Sequence, residues 1–224
     1  MRTIMKKPII IVNFKTYTNS SGTNAIRLAK ICEKVSVETG TDIRVAVSAP
    51  DIYPVSRAVT IPVYAEHVDP YPPGRNTGSI LIEIVKVDGA TGTLLNHSEH
   101  KIPISQIAES VKRAANVSIA TVVCAESPEE EESICPFKPE FIAIEPPELI
   151  GGNISVSTAH PELISRSVRT VKDKHNLKLL VGAGIHTSKD LHKAMELGAD
   201  GILLSSAITL ASDPEKVLKG LILH

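Results

Sequence analysis

The sequence predicts an α/β protein folded as a single (β/α)8 barrel, and three observations carry that prediction. Eight short apolar runs rich in β-branched residues recur along the chain, and most of them are continuous rather than alternating. Segments with helical spacing of apolar residues lie between them. Sharing 224 residues among eight units leaves 28 for each, close to the roughly 30 of a strand–helix repeat. Continuous apolar runs suit strands covered on both faces, as in a parallel sheet. A closed barrel is favoured over an open doubly wound sheet because closure leaves no unpaired edge.

The expected strands are 9–14, 43–48, 62–66, 91–96, 118–124, 141–145, 177–181 and 201–205. Ala25, Leu28, Ala29, Cys32 and Val35 form one helical stripe, closed by Gly40. Ile104, Ile107, Ala108, Val111 and Ala114 form a second, and Leu163, Ile164, Val168 and Val171 a third. Ser212 with Glu215 and Thr187 with Asp190 read as capping boxes, and Gly198 as a glycine just past a helix end. The acidic run Glu129–Glu132 follows Pro128 at a helix start and reads as a solvated face. No linker or low-complexity stretch interrupts the pattern, so residues 1–224 are expected to form one domain.

Composition narrows the function. With 24 Lys and Arg against 25 Asp and Glu the formal charge is −1, too small for the long-range field that draws proteins to nucleic acid or anionic membranes. A chain of this length buries about 70% of its extended surface. Aromatics make up only 3% with no Trp, so aliphatic residues must fill the interior. Cys32, Cys124 and Cys135 are odd in number and widely spaced, which suggests neither a disulfide framework nor a zinc site. The apolar run 8–12 is ended by Asn13 and Lys15 too early for a signal peptide or a membrane span. A soluble, reduced, cytoplasmic protein without a metal is expected.

In a barrel, ligands bind among the loops that follow the strands, so strand ends are where chemistry should be sought. Asn13 and Lys15 are two apart after the first run and would point to one side of a strand; a surface loop lysine is the plainer alternative. His97-Ser98-Glu99 ends the fourth run. If His97 opens a helical turn, the N–H of Ser98 or Glu99 donates to one ring nitrogen, leaving a neutral ring with its other N–H free. An ordinary polar histidine fits the local sequence as well, and Glu99 reads either as a first-turn carboxylate or as a buried partner for Lys15. Glu145 ends the sixth run and is followed by Pro146-Pro147 and then Gly151-Gly152, the pattern of a lid with a stiff entry and a free exit. Val181-Gly182-Ala183-Gly184-Ile185 and Leu204-Ser205-Ser206-Ala207 follow runs seven and eight, where barrels bind phosphate through backbone N–H groups. With a lysine on the first strand, these ends describe a monophosphate site.

Asn13-Phe14-Lys15, His97-Ser98-Glu99 and Glu145-Pro146 with Leu149-Ile150-Gly151, in this order and at these strand ends, resemble the triosephosphate isomerase family in its short archaeal-type branch. The resemblance covers nearly the whole chain. It implies a TIM barrel that interconverts dihydroxyacetone phosphate and glyceraldehyde 3-phosphate through an enediolate, without cofactor or metal. By the same resemblance Glu145 is the base, His97 the neutral electrophile, Lys15 and Asn13 the groups facing the substrate oxygens, and Glu99 the support of the lysine and histidine. Phosphate would meet backbone N–H groups near Ile150, Gly151, Gly184, Ser205 and Ser206. The long proline-stiffened segment 68–78 would insert into a second subunit, Thr77 reaching the neighbour's site, in a dimer or tetramer.

Some positions depart from the family's pattern. Gly152-Asn153 stands where Thr-Gly is frequent, Ala183-Gly184 where the longer branch has Gly-Ser, and Ser205-Ser206 where two glycines are frequent. Glu66 stands where an amide is common, and His100 where an arginine is. Two other readings compete: a sugar-phosphate epimerase, which would use other catalytic groups at its strand ends, and a noncatalytic phosphate-binding barrel, which would have no need of a base.

Overall fold

The computed structural model describes residues 7–146 and 160–223. Eight parallel strands close into a barrel in chain order, with the first paired to the last. They are β1 (Ile9–Asn13), β2 (Asp42–Val47), β3 (Val63–Ala65), β4 (Gly92–Leu95), β5 (Ala120–Ala125), β6 (Phe141–Ile144), β7 (Lys178–Gly182) and β8 (Gly201–Leu204). Each expected strand is present, with ends shifted by one or two residues.

Closure explains why the runs are apolar throughout. Successive side chains point to opposite faces, and here each face has its own core. Ile9, Ile11, Ala46, Tyr64, Leu94, Val122, Phe141, Ala143, Leu180 and Leu203 pack together inside the barrel. Ile10, Val12, Val45, Ile142, Ile144, Val181 and Ile202 face outward against the helices. Tyr64 spans the interior to β4, where Gly92 leaves it room: a Cβ at that position would strike the phenol ring. Arg44 closes the floor, donating to the Tyr64 hydroxyl and, at 2.8 Å and 3.1 Å, to the Asp42 carboxylate. Its guanidinium lies 5.2 Å from the centre of the Phe141 ring, with the Lys178 ammonium 4.8 Å from the same ring.

The outer layer among the described residues comprises α1 (Thr23–Thr39), α2 (Ala49–Ser56), α3 (Ile82–Val87), α4 (Ile104–Asn116), α5 (Pro128–Ile134), α6 (Pro161–Ser167), α7 (Ser188–Glu196), α8 (Ser206–Thr209) and α9 (Pro214–Leu223). In α1 the buried residues are Ala25, Leu28, Ala29, Cys32 and Val35, and Gly40 ends the helix in the left-handed conformation. Gly198 follows α7 at φ +104°, and Thr187 and Asp190 form a complete capping box. The lone apolar positions fared less well. Ile104 is exposed, and Ser110 takes the buried place on α4. After α6 the chain continues through a π-helical turn at Val168–Lys174, so Val171 is buried a wider helical step beyond Ile164. The α9 cap is Asp213, which accepts the Lys216 N–H at 3.0 Å; Glu215 instead pairs with Lys34 and Lys219 at 2.7 Å each. No described helix is long and apolar enough to cross a membrane.

The acidic run is not a uniformly solvated face. Glu131 is 0% exposed on the side of α5 that meets α6, and neither carboxylate oxygen has a hydrogen-bond partner among the described residues. Burial pushes its carboxyl up to about 7, with Ser167 opposing the rise. The folded chain therefore holds this proton more tightly than the unfolded chain, whose glutamate titrates near 4.3. Glu131 contributes its full stabilisation below the unfolded value and loses it as pH climbs to about 7. Glu131→Gln should remove that slope: between pH 5 and pH 8 the wild-type unfolding free energy falls by on the order of 2 kcal/mol relative to the variant. Denaturant titrations at both pH values check it, and parallel pH slopes would contradict the burial argument.

Candidate active site

Period-two geometry carries particular side chains to the barrel mouth. On β6 the inward set Phe141 and Ala143 continues to Glu145, and on β7 the set beginning at Lys178 and Leu180 ends at Gly182. Glu145 follows the last strand residue, its side chain 7% exposed. It fits because Gly182 has no side chain: a Cβ there would lie 2.6 Å from Glu145 Cγ. Cys124 sits beneath the carboxyl. Burial, and then the charge and hydrogen-bonding of Glu145, push the Cys124 thiol well above its ordinary range. Glu145 Oε2 is buried and has no hydrogen-bond partner among the described residues. Its nearest charged-site neighbour across the mouth is His97 Nε2 at 3.8 Å.

The His97 ring is oriented by its own loop. The chain turns tightly after β4, with the His100 N–H donating to the His97 carbonyl at 2.7 Å. The Glu99 N–H donates to Nδ1 at 3.1 Å. A nitrogen that accepts this bond carries no proton, so the ring hydrogen resides on Nε2 and points into the mouth. Of the two candidate donors, Ser98 and Glu99, it is the Glu99 N–H that bonds the ring.

Lys15 reaches the mouth by a different route from the one its spacing suggests. β1 ends at Asn13, and Lys15 adopts φ +51°, so the two do not share a strand face. The left-handed turn brings the Lys15 N–H to Asn13 Oδ1 at 3.1 Å. The Lys15 ammonium meets Glu99 Oε1 at 2.6 Å, with side-chain exposures of 14% and 57%. Lys15 is thus no surface lysine, and Glu99 is its partner, though an exposed rather than a buried one.

Asn13, Lys15, His97 and Glu145 line one cavity of about 210 Å³, whose far wall is built from Ala183, Gly184, Ser205 and Ser206. Ala183 and Gly184 both lie at positive φ, +92° and +67°, folding the chain back over the cavity. For an alanine this conformation costs roughly 1–3 kcal/mol, a strain characteristic of functional loops. Ser205 Oγ is buried without a partner among the described residues. The arrangement therefore offers a carboxylate base, a fixed N–H donor and an ammonium around one small volume, with polar main chain opposite. No group of three or more His, Cys, Asp or Glu among the described residues is placed to hold a metal ion. Ile150, Gly151, Gly152 and Asn153 lie outside the described residues.

A family model described as triosephosphate isomerase matches residues 8–221. The chain belongs to the triosephosphate isomerase family. The curated triosephosphate isomerase of Methanobacterium bryantii is 45% identical over 226 residues, covering 99% of both chains. That of Sulfurisphaera tokodaii is 46% identical, covering 98% of this chain and 96% of its own, and that of Saccharolobus solfataricus is 46% identical, covering 97% and 96%.

In this family member the His97 loop is held by residues that no local motif marks. Asn96, at φ +58°, donates from Nδ2 to the Cys124 carbonyl and to Glu130 Oε1, each at 2.9 Å, and accepts the Ile102 N–H at 3.2 Å. Glu130 also takes the Lys101 ammonium at 2.6 Å and the Glu126 N–H at 2.8 Å. Burial works to raise its carboxyl, but these donors hold it below the usual carboxylate range. The only clue in the sequence is an asparagine directly before the histidine, a type that tolerates left-handed backbone. Long-range ¹H–¹⁵N spectra of His97 should show the hydrogen on Nε2 and a bare Nδ1. The reverse tautomer would break the assignment of Glu99 as donor.

Proposed function

We propose that this chain is a triosephosphate isomerase, interconverting dihydroxyacetone phosphate and D-glyceraldehyde 3-phosphate in glycolysis and gluconeogenesis. The observation that carries the proposal is Glu145 Oε2, buried with no hydrogen-bond partner among the described residues and facing His97 Nε2 at 3.8 Å, with Lys15 in the same cavity. The reaction exchanges a hydrogen between adjacent carbons and is redox-neutral, so a base and an electrophile suffice without cofactor or metal. Glu145 takes the proton from the carbon beside the carbonyl, and the electron pair moves onto the carbonyl oxygen. The resulting enediolate is met by the His97 N–H and the Lys15 ammonium, with Asn13 beside them. His97 shuttles the proton between the two oxygens, and Glu145 returns its proton to the neighbouring carbon.

Glu99 serves as the support of Lys15 and His97. Substrate phosphate sits against the backbone at Gly184, Ser205 and Ser206, completed by Ile150 and Gly151 of a lid over the site. A base and a preformed donor each contribute on the order of 10²–10³-fold. The chain associates with itself, as a dimer or tetramer, through segment 68–78. That segment is exposed from Tyr71 to Arg75 yet braced internally, with the Ile80 N–H on Asp69 Oδ2 at 2.7 Å and the Asn76 amide on the Pro72 carbonyl at 2.5 Å. Thr77 reaches the neighbour's site. Three free, buried cysteines fit a reducing cytoplasm, and the balanced charge of −1 fits small-molecule rather than nucleic-acid partners.

A coupled assay with glyceraldehyde 3-phosphate should show turnover that a chelator leaves unchanged. Anion binding without turnover would point instead to a noncatalytic barrel. Glu145→Gln should lower kcat at least about 10²-fold while shifting KM far less. A variant with near wild-type kcat would remove Glu145 from the role of base.

A further inference from the structure

The loop after β4 carries three members of the site at once. They are the His97 ring, the Glu99 N–H that donates to it at 3.1 Å, and the Glu99 carboxylate that meets the Lys15 ammonium at 2.6 Å. Any displacement of this loop displaces all of them. β4 stops pairing with β5 at Leu95 and Val123, and the buried Asn96 turns the chain out of the sheet at φ +58°. Its side chain continues the ladder that its backbone leaves: Nδ2 donates to the Cys124 carbonyl at 2.9 Å, one residue further along β5. Oδ1 accepts the Ile102 N–H at 3.2 Å, so one amide joins the start of the loop to its end.

Glu130 takes the other bond that Asn96 Nδ2 donates. It is the third residue of α5, where a glutamate ordinarily reaches back to the helix cap. The Ser127 hydroxyl accepts the Glu130 N–H at 3.3 Å, and Glu130 Oε2 accepts the Glu126 N–H at 2.8 Å, so a single oxygen serves the helix start. Oε1 is left over, and it accepts from the Asn96 amide at 2.9 Å and the Lys101 ammonium at 2.6 Å. Capping α5 calls for neither of these bonds, and their donors stand on either side of His97.

The far end of this tether lies under the base. Cys124 sits beneath the Glu145 carboxyl, and the adjacent Ala125 carbonyl accepts the Glu145 N–H at 2.8 Å. Successive residues of β5 thus hold both reacting side chains, Cys124 holding His97 through Asn96 and Ala125 holding Glu145. We propose, resting on the isomerase reading above, that Asn96 and Glu130 are positioning residues for the reaction, setting the 3.8 Å separation of His97 Nε2 from Glu145 Oε2 through the end of β5. Neither lines the reaction cavity. Hydrogen bonds to a carboxylate are stronger than those between neutral groups, and a buried network whose members are all satisfied rigidifies what it holds. That rigidity matters because a misplacement of about 1 Å costs a catalytic site up to roughly 10²-fold in rate.

The test uses Asn96→Gly, which keeps the left-handed turn available and leaves the capping of α5 untouched while removing the amide. Glu130→Ala and the conservative Glu130→Gln accompany it. With glyceraldehyde 3-phosphate, Asn96→Gly and Glu130→Ala should each lower kcat on the order of tenfold while raising KM less than about twofold. The double variant should lose little more than either single one, since both cut the same tether. Glu130→Gln still offers Asn96 an acceptor and should recover most of the loss. In long-range ¹H–¹⁵N spectra of Asn96→Gly and Glu130→Ala, the two His97 ring nitrogens should move toward each other as the second tautomer becomes populated. Lower stability in a protein that remains folded does not produce that change. Wild-type kcat or an unchanged His97 spectrum in Asn96→Gly overturns the proposal, as does an additive loss in the double variant. If Asn96→Gly does not fold, Glu130→Ala decides by the same two readouts. Tautomer shifts as stated, in a protein whose wild type shows no turnover, leave the tether standing and overturn the isomerase reading.

Discussion

Pairing of β1 with β8 is the constraint from which the rest of this molecule follows. Once the sheet closes, every strand has an inside and an outside, and the inside is a finite column of side chains with a floor and a mouth. The floor is polar but sealed, with Arg44 bridging Asp42 and Tyr64 and lying over Phe141. The middle is aliphatic. At the top the same inward register has no more barrel to fill, so it presents Asn13 and Glu145 to the cavity, with the bare backbone of Gly182 against the Glu145 side chain. Chemistry at the mouth is thus an extension of core packing by one step of the pleat.

The mouth is also held in electrostatic tension. Glu145 Oε2 is buried with no hydrogen-bond partner among the described residues, and the polar groups across the mouth are held by their own commitments. His97 is turned by the Glu99 amide, and Lys15 is bound to the Glu99 carboxylate. Asn96 and Glu130 secure the loop that carries His97 by tying it to β5 and α5. A site whose members are paired with supports rather than with one another keeps its reactive atoms available, which is what preorganisation requires. Strain at Ala183 on the opposite wall belongs to the same economy: an unfavourable conformation persists because β7 and α7 hold the chain on either side.

Repetition was legible in the sequence because it is written in local chemistry. Apolar runs at regular intervals, the α1 stripe ended by Gly40 and the Thr187–Asp190 box each involve neighbours within a few residues, where spacing determines geometry. The three strand-end motifs were legible for the same reason, and family membership agrees with them. Where reasoning from spacing failed, the packing of whole elements had decided between near neighbours. Ile104 lost its place in the core to Ser110, Asp213 displaced Ser212 as a cap, and Glu131 was drawn out of an acidic surface into the contact between α5 and α6.

By itself, then, the amino-acid order determined the barrel, the number of its units and the placing of Glu145, His97 and Lys15 at or just after three strand ends. Only the folded chain decided that Lys15 reaches the mouth through a left-handed turn, that Gly182 makes room for Glu145, and that Asn96 and Glu130 hold the loop that carries His97. The reason is range. Pleat and helix periodicity act between residues a few positions apart, whereas burial, charge proximity and the space vacated by a glycine depend on which strands closure brings together.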